Sequence, residues 1–150
     1  MKRLLSALLL SLSVLTVSAH ADTLLDVQQD WAHVNYDLTG DDQEKAFNTL
    51  LEKAEAWVKS QPDSAEAHIW LGIVQSSFAG AKGGLGALSL AKKAKKNFEQ
   101  ALRLDENALN GSAMVSLGVL YHKVPGWPLG FGDDEKAKEL NLFFWLIVCL

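Results

Sequence analysis

Apolar residues recur along the chain at spacings of three and four, the period of one face of an α-helix. The first such stripe consists of Leu24, Val27, Trp31, Val34 and Leu38. The segment Thr39-Gly40-Asp41 predicts the end of this helix and the start of a second, with Asp41 as its N-cap. The second helix is predicted to stop before Gln61-Pro62, because proline disfavours helical geometry in the residue ahead of it.

Capping residues and renewed periodicity predict further helices downstream. Their predicted starts are Asp63 or Ser64, about Ala87, about Gly111 and Asp133. The third helix is expected to end at about Phe78, which leaves the glycine-rich segment 80–86 as a wide turn. No segment alternates apolar and polar residues as a half-buried strand does. The pattern therefore predicts an all-α fold.

Two Leu-Gly pairs open similar stretches of sequence, which indicates an internal repeat. The pairs are Leu71-Gly72 and Leu117-Gly118. Further small or aromatic residues follow at helical positions: Ala94, Phe98 and Ala101 after the first pair, and Tyr121 and Ala137 after the second. The small residues predict a close crossing of paired helices, and Phe98 is expected to fill the space between successive pairs. Such pairs bury their apolar faces by stacking on a neighbour.

Residues 62–67, the first Leu-Gly pair and the A-x3-F-x2-A spacing after it together resemble a tetratricopeptide (TPR) repeat. The resemblance covers about residues 44–140 and implies a right-handed stack of about three antiparallel helix pairs. The family's unit of about 34 residues is lengthened here between Gly72 and Ala94. Trp70 also stands directly before the leucine, and Glu106 replaces the closing proline.

Segments 79–88 and 124–134 resemble the enlarged loops of a group of secreted bacterial TPR proteins. That group looks related to the T-component of tripartite periplasmic transporters. The resemblance implies a non-catalytic scaffold that binds a protein or peptide. The alternative is an accessory transport subunit that docks a solute-binding protein or a small ligand.

The N-terminus has the three regions of a secretory signal peptide. Lys2 and Arg3 precede an apolar stretch over residues 4–17, and Ala19-His20-Ala21 supplies a cleavage pattern. A membrane anchor is the alternative, but the stretch is shorter than the ~20 apolar residues that a spanning helix needs. We therefore expect cleavage after Ala21, a periplasmic or secreted chain without stable membrane insertion, and a helical domain over residues 22–140.

The charge and cysteine content narrow the functional classes. The formal net charge is −4, and removal of the signal peptide takes away two of the positive charges. An acidic chain outside the cytoplasm argues against nucleic acid as a partner. Cys149 is the single cysteine, so no intrachain disulfide can form. The basic cluster at residues 91–96 is predicted to be a solvated helix face that can still meet an acidic partner protein.

The candidate binding residues lie in the two unusual loops. Lys82, Gly83 and Gly84 belong to the glycine-rich segment, which lacks the order of a phosphate-binding loop. This segment is predicted to be a turn, with an anion site at the start of the fourth helix as the alternative. Trp127 and Phe131 belong to the second loop. They form either a ligand wall or the inner side of a loop packed on its own helices.

No catalytic constellation or cofactor motif is found in the sequence. The histidines His33, His68 and His122 are scattered and have no thiol neighbours, so no zinc site is predicted. The tail, residues 141–150, is more apolar than an exposed chain end should be. Two interpretations stay open: the reading frame is truncated or shifted near Leu140, or the tail docks where a further repeat would stack.

Overall fold

The computed structural model describes residues 23–148, and their side chains as far as residue 142. The described part of α1 covers residues 23–36. The other helices are α2 (Gly40–Ser60), α3 (Ala65–Lys82), α4 (Gly84–Leu104), a short 3-10 helix (Ala108–Gly111), α5 (Ser112–Lys123) and α6 (Asp134–Val148). No strand occurs within residues 23–148, so the all-α prediction is confirmed. The predicted signal peptide lies outside the described residues.

The helices form a stack in which neighbours along the chain pack on one another. The connection between α3 and α4 is a single residue, Gly83, so these helices run antiparallel. In α1 and α2, Lys53 Nζ lies 2.7 Å from Asp30 Oδ2. In α5 and α6, His122 Nδ1 lies 2.8 Å from Asp134 Oδ1. Helix α2 packs on α3, and α4 packs on α5, which joins the helix pairs into one body.

Apolar side chains between the helices form a core that runs the length of the stack. Phe47 of α2 and Phe78 of α3 stack with ring centroids 5.4 Å apart. A second group of buried side chains joins α4 to α5 and α6, and it includes Phe98, Leu117 and Tyr121. Burial of apolar surface between neighbouring helices is therefore the main stabilising contribution along the whole stack.

The two Leu-Gly pairs occupy corresponding places in the packing. A Cβ on Gly72 would lie 2.6 Å from Phe98 Cε1, so only a hydrogen fits between α3 and this ring. A Cβ on Gly118 would lie 3.1 Å from Asn141 Oδ1 and 3.4 Å from the carbonyl oxygen of Ala137. Asn141 thus faces the second glycine as Phe98 faces the first. The positions Leu71, Ala94, Ala101, Leu117 and Ala137 are all buried.

The helix ends correct several predictions. Helix α3 continues past Phe78 to Lys82, and α4 already begins at Gly84, so the prediction of a wide glycine turn was wrong. The chain reverses over Gly83 and Gly84, whose φ angles of +65° and +62° are open to glycine without steric cost. Two glycines at positive φ therefore replace the predicted loop.

Of the three predicted helix caps, those at Ser64 and Asp133 are confirmed and the one at Asp41 is wrong. Ser64, the second of the two candidates, caps α3, because its Oγ accepts a hydrogen bond from the Ala67 N–H at 3.1 Å. Asp41 lies inside the first turn of α2, and the N-cap is Thr39, whose side chain makes no capping bond. Asp133 Oδ1 accepts bonds at 3.1 Å from the N–H groups of Glu135 and Lys136 at the start of α6.

The apolar tail begins as part of α6. The helical backbone continues to Val148, while the last two residues lie outside the described part of the chain. Neither interpretation of the tail is decided by this continuation. None of the described helices combines the length and apolar character that a bilayer span requires.

Candidate binding groove

The two unusual sequence segments meet on one side of the stack, where α3 and α5 end. The turn from α3 to α4 lies beside the α5–α6 loop (residues 124–133), because α3 and α5 run in the same direction and end side by side. Between them is a cavity of about 520 Å³, which we call the loop groove. Its apolar walls include Ala79, Leu85 and Leu88 on one side, and Leu120, Pro125 and Leu129 on the other.

Large apolar side chains stand exposed at the rim of the loop groove. Leu85 is 93% exposed and Leu129 is 73% exposed, and both line the groove. Trp127, in the same loop as Leu129, is 89% exposed. Single exposed hydrophobic residues are ordinary on protein surfaces, whereas a group of them around a concavity is typical of a binding site.

A second cavity, of about 300 Å³, extends the loop groove along α3 and α5. The two cavities share Ser76, Leu120 and Lys123 in their linings. Ile73 and Val119 add apolar surface to the extension. The concave surface is therefore long enough for a short segment of chain and is not restricted to a single side chain.

The one charged side chain in the described groove lining is positive. Lys123 is the only charged residue among the described residues that line either cavity. Its ammonium has no ion-pair partner within residues 23–142, and the same holds for the exposed Lys92. Lys92 follows the groove residue Leu88 by one helical turn, so the two lie on the same face of α4. The rim is therefore basic on a chain that is acidic as a whole.

Lys82 lies at the turn but not in the groove lining. Its ammonium forms an ion pair with the carboxylate of Glu44 and lies 5.3 Å from the centroid of the Phe78 ring. Its Cε would lie 3.1 Å from a Cβ on Gly86. These contacts fasten the α3–α4 turn to the start of α2. Because Glu44 already neutralises this ammonium, the anion-site interpretation loses its main cation.

The other two candidates from the glycine-rich segment also differ in place. Gly83 ends α3, and its N–H donates to the carbonyl oxygen of Ala79 at 3.1 Å. Gly84 lines the loop groove. Of the three residues proposed from this segment, only Gly84 borders the concave surface.

Trp127 and Phe131 share one loop but differ in exposure. Phe131 is half-buried, and its ring meets Tyr121 edge-on with centroids 5.7 Å apart. The loop is closed by two backbone bonds, from the Gly132 N–H to Pro125 O at 2.9 Å and from the Asp133 N–H to Tyr121 O at 3.0 Å. Phe131 therefore anchors the loop on its own helices, whereas Trp127 is exposed on the surface.

Lys95 supports the anchored part of the loop. Its Nζ lies 5.8 Å from the ring centroids of both Tyr121 and Phe131 and 2.6 Å from Glu99 Oε1. The hydrogen bond to the Glu99 carboxylate raises the pKa of Lys95 above its ordinary value, against the opposing effect of burial. A lysine that stays charged under two aromatic rings holds the loop by cation–π attraction.

Sequence reasoning missed three residues of the groove: Leu85, Lys123 and Leu129. Leu85 stands between Gly84 and Gly86, and a large apolar residue inside a glycine segment was the available signal. Lys123 carried no local signal, because it reads as the ordinary basic end of a helix. The position of Lys123 in the groove lining follows only from the packing of α5 beside α3.

The histidines and acidic residues of the described part of the chain do not form a metal site. Within residues 23–142 no cluster of three histidine, cysteine or acidic side chains could hold a metal ion. His68 lies between Asn97 Oδ1 at 2.9 Å and the carbonyl oxygen of Pro62 at 3.0 Å, as a link between α4 and the start of α3.

Neither a known family model nor a curated protein matches the chain.

Proposed function

We propose that this chain is a non-catalytic scaffold of TPR type that acts in the periplasm or after secretion and holds a protein or peptide in the loop groove. One observation carries the proposal. Two segments from different helix pairs converge on one apolar concavity, with Leu85 and Leu129 exposed in its lining and Trp127 exposed in the same loop as Leu129. The N-terminal pattern of a signal peptide supports the location.

The groove has the physical properties of a recognition site. Its volume of about 520 Å³ falls within the ~300–1,000 Å³ that is usual for binding pockets. The helices supply rigid walls, and the loops supply side chains that can differ between relatives without cost to the scaffold. Interfaces derive most of their affinity from a few residues that are buried on binding, and tryptophan, tyrosine and arginine are the commonest of these. Trp127 is of that type, while Leu85 and Leu129 offer apolar surface that a partner can cover.

The accessory transport subunit is the second candidate. It is supported by the likeness of segment 124–134 to a loop of secreted TPR proteins related to the T-component. Segment 79–88 was the second likeness, but it forms the end of α3 and the start of α4 and no enlarged loop. In this role the partner is a solute-binding protein, and the same groove supplies the docking surface. The two candidates therefore differ in the identity of the partner and not in the site.

Site-specific photo-cross-linking in the native host tests the proposal. A photoreactive amino acid at position 85 or 127 is expected to trap a defined partner, which mass spectrometry identifies. The matched control is position 36, because Tyr36 is also a strongly exposed aromatic residue but lies at the end of α1. A solute-binding protein in the product supports the transport role, and another envelope protein supports the general scaffold. Equal yields at positions 85, 127 and 36 would rule out the groove as the binding site.

A further inference from the structure

We infer that the segment bound in the loop groove is an acidic apolar peptide: two or three large apolar side chains with carboxylates beside them. This inference rests on the proposed function and names the chemistry of its partner. It combines two observations, the apolar lining of the groove and the unpaired lysine within that lining.

The apolar part of the partner follows from the lining. Leu85 and Leu129 face water in the free chain and line the same cavity. A partner that covers them removes apolar surface from water on both sides of the contact, which is favourable. The extension along Ile73 and Val119 continues the apolar surface, so successive side chains of one segment find places in it.

The acidic part follows from the cations. Lys123 lies in the lining where the two cavities join, and Lys92 lies one turn beyond Leu88. Two acidic residues stand at the end of the loop, and neither lines the groove: Asp133 caps α6, and Asp134 Oδ1 lies 2.8 Å from His122 Nδ1. A carboxylate of the partner therefore meets unpaired ammonium groups and no opposing carboxylate from the groove lining.

The same charges disfavour two other occupants. A symmetric dimer through this groove brings the same patch of both copies together, so Lys123 and Lys92 of one copy approach those of the other. A basic peptide meets like charges in the same way. Like-charge contact suppresses wrong partners, while opposite charge speeds the encounter with the right one.

Fluorescence anisotropy with two labelled synthetic peptides tests the inference. The peptides share the same leucine and phenylalanine positions, and the positions between them are glutamate in one and lysine in the other. The purified secreted chain is expected to prefer the glutamate peptide. The preference should weaken as salt rises, because exposed charges are screened over ~8 Å at physiological ionic strength. Each exposed charge pair is expected to change Kd by about two- to fivefold.

Three variants connect the result to the groove. Lys123→Glu should shift the preference toward the lysine peptide. Lys59→Glu is the matched control, because Lys59 is an exposed lysine in the last turn of α2. The start of α2 lies beside the end of α3, where Glu44 meets Lys82, so the last turn of α2 is on the side of the stack away from the loop groove. Leu129→Asp should abolish binding of both peptides. Leu129 is mostly exposed, so this change leaves the helical core intact, and an unchanged circular dichroism melting curve verifies that.

The outcomes separate this inference from the proposed function. Equal binding of both peptides, or a Lys123→Glu effect no larger than that of Lys59→Glu, overturns the acidic preference and leaves the groove as the binding site. Binding of a long-chain fatty acid with no binding of either peptide overturns the peptide chemistry. Loss of position-specific cross-linking at positions 85 and 127 instead overturns the proposed function itself.

Discussion

Gly72 shows how closely the packing constrains a single position. A Cβ at this residue would lie between 2.6 and 2.9 Å from three ring atoms of Phe98, and Phe98 is itself fully buried. We expect Gly72→Ala to lower the free energy of unfolding by about 1–3 kcal/mol, because the ring can move only by disturbing the core around it. Urea denaturation of the purified chain measures the change.

Gly80 provides the control on the same helix. A Cβ at Gly80 meets nothing within 4 Å, so Gly80→Ala should gain up to about 1 kcal/mol from the higher helix propensity of alanine. If Gly72→Ala and Gly80→Ala raise stability alike, the close contact between Gly72 and Phe98 does not exist in solution.

Lys95 and Glu99 predict a small dependence of stability on alkaline pH. The pKa of Lys95 is raised in the folded chain, chiefly by the hydrogen bond to Glu99. The charged pair therefore stabilises the fold fully below the ordinary lysine pKa of 10.5, and this contribution is lost as the pH rises through the folded-state pKa. Both side chains are partly exposed, so the contribution should stay below about 1 kcal/mol.

A comparison of the wild type with Glu99→Gln isolates the pair from other groups that titrate at alkaline pH. The quantity to measure is the difference between the two unfolding free energies, from below pH 10.5 to above the folded-state pKa of Lys95. Glu135→Gln is the control, because Glu135 pairs with Lys138 at the fully solvated start of α6. A wild-type advantage over Glu99→Gln that grows as the pH rises would contradict the direction assigned to Lys95.

At the scale of a helix, the two N-caps of α2 and α3 differ in a way that mutation can detect. Ser64 Oγ accepts the Ala67 N–H, whereas Thr39 holds the equivalent position of α2 without a capping bond. Ser64→Ala is expected to cost about 1 kcal/mol, and Thr39→Ala clearly less, because only the first leaves a backbone N–H without its acceptor. Thermal melting followed by circular dichroism compares the two variants, and equal losses would refute the difference in capping.

The helices themselves were predictable because each buries one face, and the three-to-four period of apolar residues records that face directly. Their ends near glycine were not predictable. Gly83 and Gly84 reverse the chain at positive φ, while Gly72 and Gly118 lie inside helices where their small size serves packing. The amino acid is the same in both cases, and only its tertiary neighbours decide its role.

The groove was predictable only in part for a related reason. The sequence drew attention to both loops, but the lining combines residues from separate helix pairs, such as Leu85 and Lys123. Lys82 attracted attention as a cation among glycines, and its partner Glu44 lies on a helix far from it in the sequence. Local patterns report what one element needs, and a site between elements depends on their arrangement.

Across the whole molecule, stability is distributed along the stack. One buried cluster joins α1, α2 and α3 and includes Leu90 of α4, and a second joins α4, α5 and α6. A third cluster, with Ile69 and Ala113, connects α3 and α4 to the start of α5. Since most contacts link neighbouring helices, a local loss of packing should weaken one half of the stack more than the other.

Two buried leucines test this expectation. Leu50 lies in the first cluster and Leu117 in the second, and alanine at either site should cost about 2–5 kcal/mol through lost burial and the cavity left behind. Hydrogen exchange followed by mass spectrometry should then show faster exchange mainly in α1 and α2 for Leu50→Ala and mainly in α5 and α6 for Leu117→Ala, because α3 and α4 pack most extensively on each other and lie between these two pairs. Each variant serves as the control for the other. If both raise exchange evenly through all helices, the stack unfolds as one cooperative unit, and occupation of the loop groove would then stabilise α1 as much as α5.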